Sequence, residues 1–426
     1  MSGGTLARLA RSKRAPYAVI GNGMVALASF ALSISIARAS STAVFGTFSI
    51  AMVAYLFSSG LVRAGITDTA LSRPDERATF TSSVQRASLV ATVGTILLVG
   101  WGFASANHFL IVLGVSLHGL ITLDFVRTHD SAVGAATRAV VTTVFWSAAS
   151  VSVSLLSLFL AIDPLGVFAA WALSGAVCGY VVAGVAHVPL FPRWRRNRRD
   201  TRAAGAFAAD YLVGSGGSLL TTGLLGLLDD IRIVGALRGG GTLLGPMNLI
   251  STTARSLMLP FLARRQVDPG AQFQSAIRVT AAQVLVLVPL LAALQFIPDP
   301  WGRQLLGDTW QLASLVLLPL SIESVFALVS AAAAAGHRVA FAGRRTLILR
   351  AALGLPRPVV VLLSSQAWGV AGAAWSMVAI SVLNAVVWWV SYIDLTKASR
   401  TLGENSVDGA PRASQSRNFD QERVDE

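Results

Sequence analysis

The sequence predicts an all-α, polytopic membrane protein of about twelve transmembrane helices, arranged as two six-helix lobes related by a pseudo-two-fold axis along the membrane normal. Three observations carry that expectation. Of the 426 residues 54% are hydrophobic and only 13% charged, about half the charged share of a soluble domain. The apolar residues fall into runs close to the ~20 residues that cross a bilayer as a helix. Finally, residues 192–202, PRWRRNRRDTR, hold six arginines and one aspartate and divide the runs six and six. A single such charge at mid-bilayer costs about 2.5 kcal/mol or more, so this segment must lie outside the membrane.

The chain opens with a basic arm, residues 1–16, carrying Arg8, Arg11, Lys13 and Arg14. Span one covers 17–37; the run exceeds the 7 to 15 apolar residues of a signal peptide, so it reads as an uncleaved helix although Ala37-Arg38-Ala39 mimics a cleavage site. The short turn ASSTAVFG leads to span two, 47–66, and a charged connection containing Arg73 and Arg77 leads past Arg86 to span three, 87–106. Span four is 109–125. The connection VRTHDSAVGAATR, with Arg127 and Arg138, precedes span five, 139–161, and an Asp163-Pro164 turn precedes span six, 167–190. These complete an N-terminal lobe, 17–190, joined by the arginine-rich linker 191–206 to a C-terminal lobe, 207–395.

In the second lobe span seven is 207–228, followed by the turn DDIRIVGALRGGG and span eight, 242–262. Arg264, Arg265 and Arg278 separate it from span nine, 279–297; the connection PDPWGRQLLGDTW then leads to span ten, 312–335. Arg338, Arg344, Arg345 and Arg350 surround the entry to span eleven, 346–365, and span twelve is 370–393. The tail, 396–426, is polar, mixed in charge and poor in apolar residues, the composition of a disordered segment.

Basic residues fix the expected orientation. The side holding both termini, the basic side, collects 28 lysines and arginines, against four on the opposite side: Arg38, Arg232, Arg238 and Arg303. Positive charge marks the cytoplasmic face, so both termini are expected in the cytoplasm of a multi-pass plasma-membrane protein. Connections on the opposite side are all short.

Two segment pairs recur about 200 residues apart. Arg38-Ala-Ser-Ser-Thr42-Ala-Val-Phe-Gly46 follows span one, and Arg238-Gly-Gly-Gly-Thr242-Leu-Leu-Gly245 follows span seven. Gly166-Val-Phe-Ala-Ala-Trp171 opens span six, and Gly369-Val-Ala-Gly-Ala-Ala-Trp375 opens span twelve. Six spans per half start both halves on the same face, so the repeats are parallel, with a cavity expected between them and alternating access by rocking of the lobes.

The formal net charge of +13 does not point to nucleic acid. Basic residues punctuate the ends of apolar runs instead of covering a polar domain, and the first partner they imply is anionic membrane lipid. Twelve spans leave no room for a soluble enzyme domain. The single cysteine, Cys178, allows no disulfide within one chain. No P-loop, zinc-spaced histidine pair or dinucleotide fingerprint occurs, so no cofactor is expected and energy must come from an ion gradient, the membrane potential or the substrate gradient.

IARASSTAVFGTFSIAMVAYLFSSGLVRAGI after the first span, DDIRIVGALRGGGTLLG, LLGDTWQLAS before span ten and WGVAGAAWS at span twelve together resemble Wzx-type polysaccharide flippases, which translocate lipid-linked oligosaccharides. The sequence departs from that family at ASSTAVFG, where a leucine-glycine pair is more usual, and at RGGG, residues 238–241. These flippases belong to the multidrug/oligosaccharidyl-lipid/polysaccharide exporter superfamily, which also holds lipid II flippases and multidrug and toxin extruders. The resemblance implies two six-helix lobes, a cavity bordered by spans one, two, seven and eight, a polyprenyl-linked glycan as substrate, a bacterial inner membrane as location and polysaccharide polymerase machinery as partner.

Within that frame, ionisable residues inside spans are the functional candidates. Arg255 in span eight is expected to bind phosphate or to pair with an acid. Arg63, near the basic end of span two, either binds phosphate or reaches the interface as long side chains do near a span end. Asn22 and Asn248 are candidates for sugar hydroxyls or for bonds between helices. Glu323 in span ten and Arg357 in span eleven lie at similar depth; they either neutralise each other, or Arg357 contacts substrate while Glu323 couples transport to protons. Asp229 and Asp230 read as a solvated helix end, and His118 as an interhelical residue. The expected function is flipping of a lipid-linked oligosaccharide. The alternatives are a multidrug or small-molecule exporter, which would favour a carboxylate-rich cavity, and a glycan polymerase or ligase, which would need long outer loops.

Overall fold

The computed structural model describes residues 14–71, 77–133, 136–160, 162–188, 190–193, 204–205, 208–209, 211–248, 269–340 and 342–408. Among them every regular element is helical. The first half contains α1 (Arg14–Ala39), α2 (Thr42–Val62), α3 (Arg77–Ala104), α4 (His108–Val133), α5 (Ala136–Leu156) and α6 (Pro164–Val185). A π-helical turn, Arg63–Thr67, extends α2. The second half contains α7 (Gly217–Leu228), led in by a π turn at Leu212–Gly216, then α8 (Ile231–Leu243), α9 (Pro269–Leu294), the short α10 (Asp299–Leu306), α11 (Trp310–Val339), α12 (Gly343–Gly354) and α13 (Arg357–Asp408).

Eight helical stretches among the described residues are long and apolar enough to cross a membrane, and the last of them holds two expected spans. Those two part at Trp368 and Gly369, where the backbone leaves helical geometry. Span eleven is itself interrupted between α12 and α13, at Leu355-Pro356, where Pro356 and Pro358 remove backbone donors from the helix.

Caps explain several starts. Ser41 accepts from the Val44 amide at 3.4 Å to begin α2, and Asp163 accepts from the Leu165 amide at 3.0 Å, beside Pro164, to begin α6. Asp230 likewise accepts from the Arg232 amide at 2.8 Å, and this last cap corrects the expected boundary of span eight. DDIRIVGALRGGG is not a turn: α8 starts at Ile231, eleven residues before Thr242. Arg238 therefore leaves the count of outer basic residues and enters a helix. Two arginines in thirteen residues lower the hydropathy enough to hide a helix whose Ile233, Val234, Ala236 and Leu237 are buried.

The same shift bears on the repeat. Gly166 and Gly369 both fall at the start of their helical segments, as expected, whereas Arg38 ends α1 and Arg238 lies inside α8, so the first segment pair is out of register. At the C-terminus α13 stays helical to Asp408, past the expected lobe boundary at 395, because no proline interrupts the chain before Pro411. Most of the linker 191–206 and the tail beyond 408 lie outside the described residues.

The first half packs around α4, whose Leu110, Leu113, Leu117, Leu120 and Ile121 are almost wholly buried. α4 meets α6 through small residues: a side chain on Gly179 would strike the carbonyl of Gly119, and one on Gly119 the backbone of Ala176. Close backbone approach through small residues is the membrane substitute for a hydrophobic driving force. Phe48 contacts Phe45, Phe109 and Phe168 with ring centroids 5.5 to 5.9 Å apart. In the second half α11 packs against α8, α9 and α13; Trp389 donates to the Val329 carbonyl at 3.0 Å, and buried His337 bonds Ser391 at 2.9 Å.

The halves meet along α2, which packs on α7 and α8. Away from the basic side, Gly46 of α2 abuts the Ile231 carbonyl and Gly235 of α8 abuts the Thr42 carbonyl, so the two helices touch backbone to backbone. α10 lies over α1; Gly307, at φ 57°, brings its backbone against the carbonyl of Arg38, a conformation and a clearance that suit glycine. Toward the basic side, Tyr211 donates to the Leu56 carbonyl at 3.1 Å and its ring covers Gly60.

Candidate functional site

Between the halves lies a cavity of about 770 Å³, walled by α1, α2, α7, the α8 segment through Asn248, α11 and α13. Glycines set the pose of α8 in this wall. Gly235 rests on α2, while Gly239 and Gly240 rest on Thr309, Ala313, Val316 and Leu320 at the head of α11. With those faces taken, Arg238, Gly241, Thr242, Gly245 and Asn248 are turned toward the cavity at three- and four-residue spacing, with Leu237 and Pro246 beside them.

Arg238 is the charge of this wall. Its Nη2 donates to Ser33 Oγ on α1 at 3.3 Å, and its Nε is buried without a hydrogen-bond partner among the described residues. No carboxylate among the described residues forms an ion pair with it. Leaving a buried donor unmade costs about 1 to 3 kcal/mol, more for a charged group, and a protein retains such a group where something else completes it.

Arg357 is the second arginine in the wall. Its Nη2 donates to Glu323 Oε1 on α11, with both side chains under one-fifth exposed, so the ion pair expected from equal depth is formed. Its Nε is also buried without a hydrogen-bond partner among the described residues. Glu323 does not border the cavity, and among the described wall residues there is no aspartate or glutamate. The remaining polar wall atoms are hydroxyls and an amide, from Ser29, Ser33, Ser49, Ser218, Thr222, Thr242 and Asn248.

A second cavity of about 520 Å³ opens toward the basic side and shares Ser218 and Arg357 with the first. Its wall adds Arg338, Arg350 and Asp68. Asp68 follows the π turn of α2, and burial raises its pKa while nearby Arg63 opposes the rise. Val213, Gly214, Ala64 and Asp68 place both π turns in or beside this wall, and such turns recur where a helix is adapted to function.

Other candidates from sequence are distributed differently. Asn248 lines the central cavity. Arg63 lines neither cavity; its Nη2 donates to Asp124 Oδ1 on α4 at 2.5 Å, and Arg127 donates to the same oxygen at 2.8 Å. Asn22 adjoins Gly23 of the wall on α1, its side chain lying outside the described residues, as does Arg255 altogether. Asp230 is the α8 cap, and Asp229 accepts from Ser365. His118 bridges Ser88 at 2.8 Å and Tyr180 at 3.2 Å, between helices as expected. The residue that sequence reasoning missed is Arg238; Asp230 ahead of IRIVGALR, a cap followed by apolar residues at helical spacing, was the available signal.

The fold matches solved transporters. An inward-facing multidrug resistance transporter of the MATE family, MOP superfamily, covers 88% of this chain and 95% of its own at 13% identity and TM-score 0.71. The lipid II flippase MurJ in an inward closed conformation covers 92% and 93% at 9% identity and TM-score 0.69. A MOP superfamily transporter from Pyrococcus furiosus, described as having a binding pocket of reverse polarity that suggests a different function, covers 90% and 94% at 14% identity and TM-score 0.56. No protein family matches the sequence, and no curated protein matches it significantly. The chain thus has the two-lobed fold of these transporters.

Proposed function

We propose that the protein flips a polyprenyl-phosphate-linked or pyrophosphate-linked oligosaccharide from the inner to the outer leaflet of the plasma membrane, by alternating access, for surface polysaccharide assembly. The observation that carries this reading is the charge of the central cavity, which presents Arg238 and Arg357 and, among its described wall residues, no carboxylate. A cationic drug would need the opposite sign.

The chemistry follows from the transport problem. A free oligosaccharide crossing hydrocarbon would pay about 2 to 7 kcal/mol for each unpaired polar group. The serine, threonine and asparagine groups of the wall replace water around sugar hydroxyls, while the isoprenoid tail stays in lipid. Arginine offers phosphate a planar fork of donors, and Arg238 and Arg357 both line the cavity. Because the two cavities share Ser218 and Arg357, a head group entering from the basic side passes Arg338 and Arg350, then reaches Arg357 and, deeper, Arg238.

Glu323 then has a role through Arg357. A phosphate arriving at Arg357 competes with the carboxylate for the guanidinium, and the released Glu323 is available to take a proton, which is how substrate movement would be coupled to a proton gradient. The membrane potential adds about 2.3 kcal/mol per charge per 100 mV in favour of moving an anionic head group outward. Polysaccharide polymerase machinery is the partner such a product requires.

The fold alone does not choose between exporter and flippase, since solved structures of both kinds share it. Deleting the gene in its host and quantifying lipid-linked oligosaccharide and surface glycan by mass spectrometry does. Completed lipid-linked units accumulating inside with surface glycan lost support the reading. Unchanged glycans with new sensitivity to cationic drugs overturn it in favour of the exporter, and intermediates trapped outside overturn it in favour of a polymerase or ligase.

A further inference from the structure

On the far side of α12 from the inner cavity lies a third concavity, a lateral groove of about 800 Å³ between α12 and the basic-side end of α13. α12 separates the two. Its Arg350, Leu353 and Gly354 face the inner cavity, and its Arg345, Ile348 and Leu349 face the groove. The floor and far wall are apolar, built from Ile348, Leu349, Val386, Val387, Val390 and Leu395, and the polar groups gather at one end as Arg344, Arg345, Ser391 and Asp394. Ile348, Val386 and Val390 are each more than half exposed.

Geometry fixes how this groove meets the bilayer. Arg344 and Arg345 lie in the first turn of α12, which has no acidic residue, and Asp394 lies near the same end on α13. From Asp394 back to Val386 is eight residues of helix, roughly 12 Å of depth. The groove therefore runs from a charged mouth at head-group level down into hydrocarbon. The mouth carries two arginines against one carboxylate, and the Arg345–Asp394 contact is long, 3.4 Å, with both side chains about half exposed. Such an exposed pair holds its guanidinium weakly, and the net charge of the mouth stays positive.

We infer that this groove binds an anionic glycerophospholipid of the leaflet on the basic side, with its phosphate at Arg344 and Arg345 and an acyl chain along Ile348, Val387 and Val390. Charge complementarity selects the head group and the apolar floor selects the chain. The occupant is a resident membrane lipid and not the transported molecule, because the wall residues of this groove and those of the two cavities do not overlap. Since α12 also packs on the π turn leading into α7, a lipid seated here braces one wall of the transport pathway from outside.

The test uses the full chain purified in detergent and incubated with mixed micelles of phosphatidylglycerol or of phosphatidylcholine with identical acyl chains, retained lipid being quantified by mass spectrometry after gel filtration. Phosphatidylglycerol is expected to be retained several-fold over phosphatidylcholine. The Arg344→Gln/Arg345→Gln variant should lower retention to near the phosphatidylcholine level, since each arginine contributes to holding an anionic head group. Asp394→Asn should raise it, a gain that misfolding cannot produce. Arg303→Gln, which removes an exposed charge from α10, should leave it unchanged. Equal retention of the two lipids, a double arginine variant that retains phosphatidylglycerol like the wild type, an unaltered Asp394→Asn, or an equal loss in Arg303→Gln would overturn the inference.

Discussion

Arg238 and Ser33, 205 residues apart in the chain, meet across the central cavity at 3.3 Å. One belongs to α8 of the second half, the other to α1 of the first. A neutral hydroxyl satisfies one guanidinium donor, and Nε, in a buried position, has no partner among the described residues. An arginine held between the lobes in this way can grip an anion and sense whether the lobes are together.

Replacing that arginine should therefore separate transport from folding. A hydrogen bond to a charged group contributes about 1.5 to 3 kcal/mol, so Arg238→Ala should weaken transport of a phosphate-bearing substrate by about 10- to 100-fold. Membrane abundance should hold, because the substitution removes a buried donor that lacks a partner. Arg238→Lys, a charge without the fork, should retain part of the activity. Transport assays normalised to immunoblotted protein check all three.

The Glu323–Arg357 pair predicts a cycle. Glu323→Gln leaves Arg357 buried without its counter-charge and should destabilise the protein by about 3 kcal/mol. Glu323→Gln combined with Arg357→Gln should recover most of that loss, as coupled neighbours do. Thermal unfolding in detergent reads the cycle. Transport by the double variant should nevertheless fail, since Arg357 is a wall residue of both cavities.

The contact of Gly46 with the Ile231 carbonyl, and of Gly235 with the Thr42 carbonyl, closes the cavity away from the basic side. Gly46→Val inserts a branched side chain where two backbones touch; overpacking of this kind costs about 1 to 3 kcal/mol, enough to shift the closed population about ten-fold. With Cys178, the only cysteine, replaced by serine and Ser49 of the cavity wall replaced by cysteine, Gly46→Val should speed labelling by an impermeant maleimide from that side. An unchanged labelling rate would show that this crossing is not the gate.

Asp124 accepts from both Arg63 and Arg127, tying α2 to α4. Asp124→Asn removes the carboxylate that the two guanidinium groups share and should cost about 3 kcal/mol. Arg63→Ala, at a side chain nearly half exposed, should cost about 1 kcal/mol or less and leave transport largely intact. The comparison is read as membrane abundance and midpoint of thermal unfolding. Transport abolished in Arg63→Ala at normal abundance would return that arginine to the substrate path.

Much of the fold was legible in the sequence because bilayer thickness imposes one length on every crossing: the all-helical, two-lobed architecture and the order of its apolar helices both follow from hydropathy. What failed was α8. Asp230 as a cap, Ile231 and Ile233 as apolar anchors and Gly235, Gly239 and Gly240 as packing positions make a helix through contacts with α2 and α11 that hydropathy does not register. For the same reason Arg238 read as a loop residue. Arg357 and Asn248 were legible as polar groups inside apolar runs, and equal depth gave the pairing of Glu323 with Arg357. Whether Arg63 faced the cavity or Asp124 was not legible, because a lateral partner on another helix leaves no spacing signal along the chain.

The most direct measurement of the central claim reconstitutes the purified protein in liposomes and follows two substrates side by side, a fluorescent polyprenyl-diphosphate oligosaccharide, read by its accessibility to an impermeant quencher, and a fluorescent lipophilic cation. The arginine-lined cavity, with no carboxylate among its described wall residues, predicts that the lipid-linked sugar crosses while the cation does not, and that Arg238→Ala slows the sugar by ten-fold or more. Movement of the cation with no movement of the lipid-linked sugar, or wild-type flipping by Arg238→Ala, would contradict it.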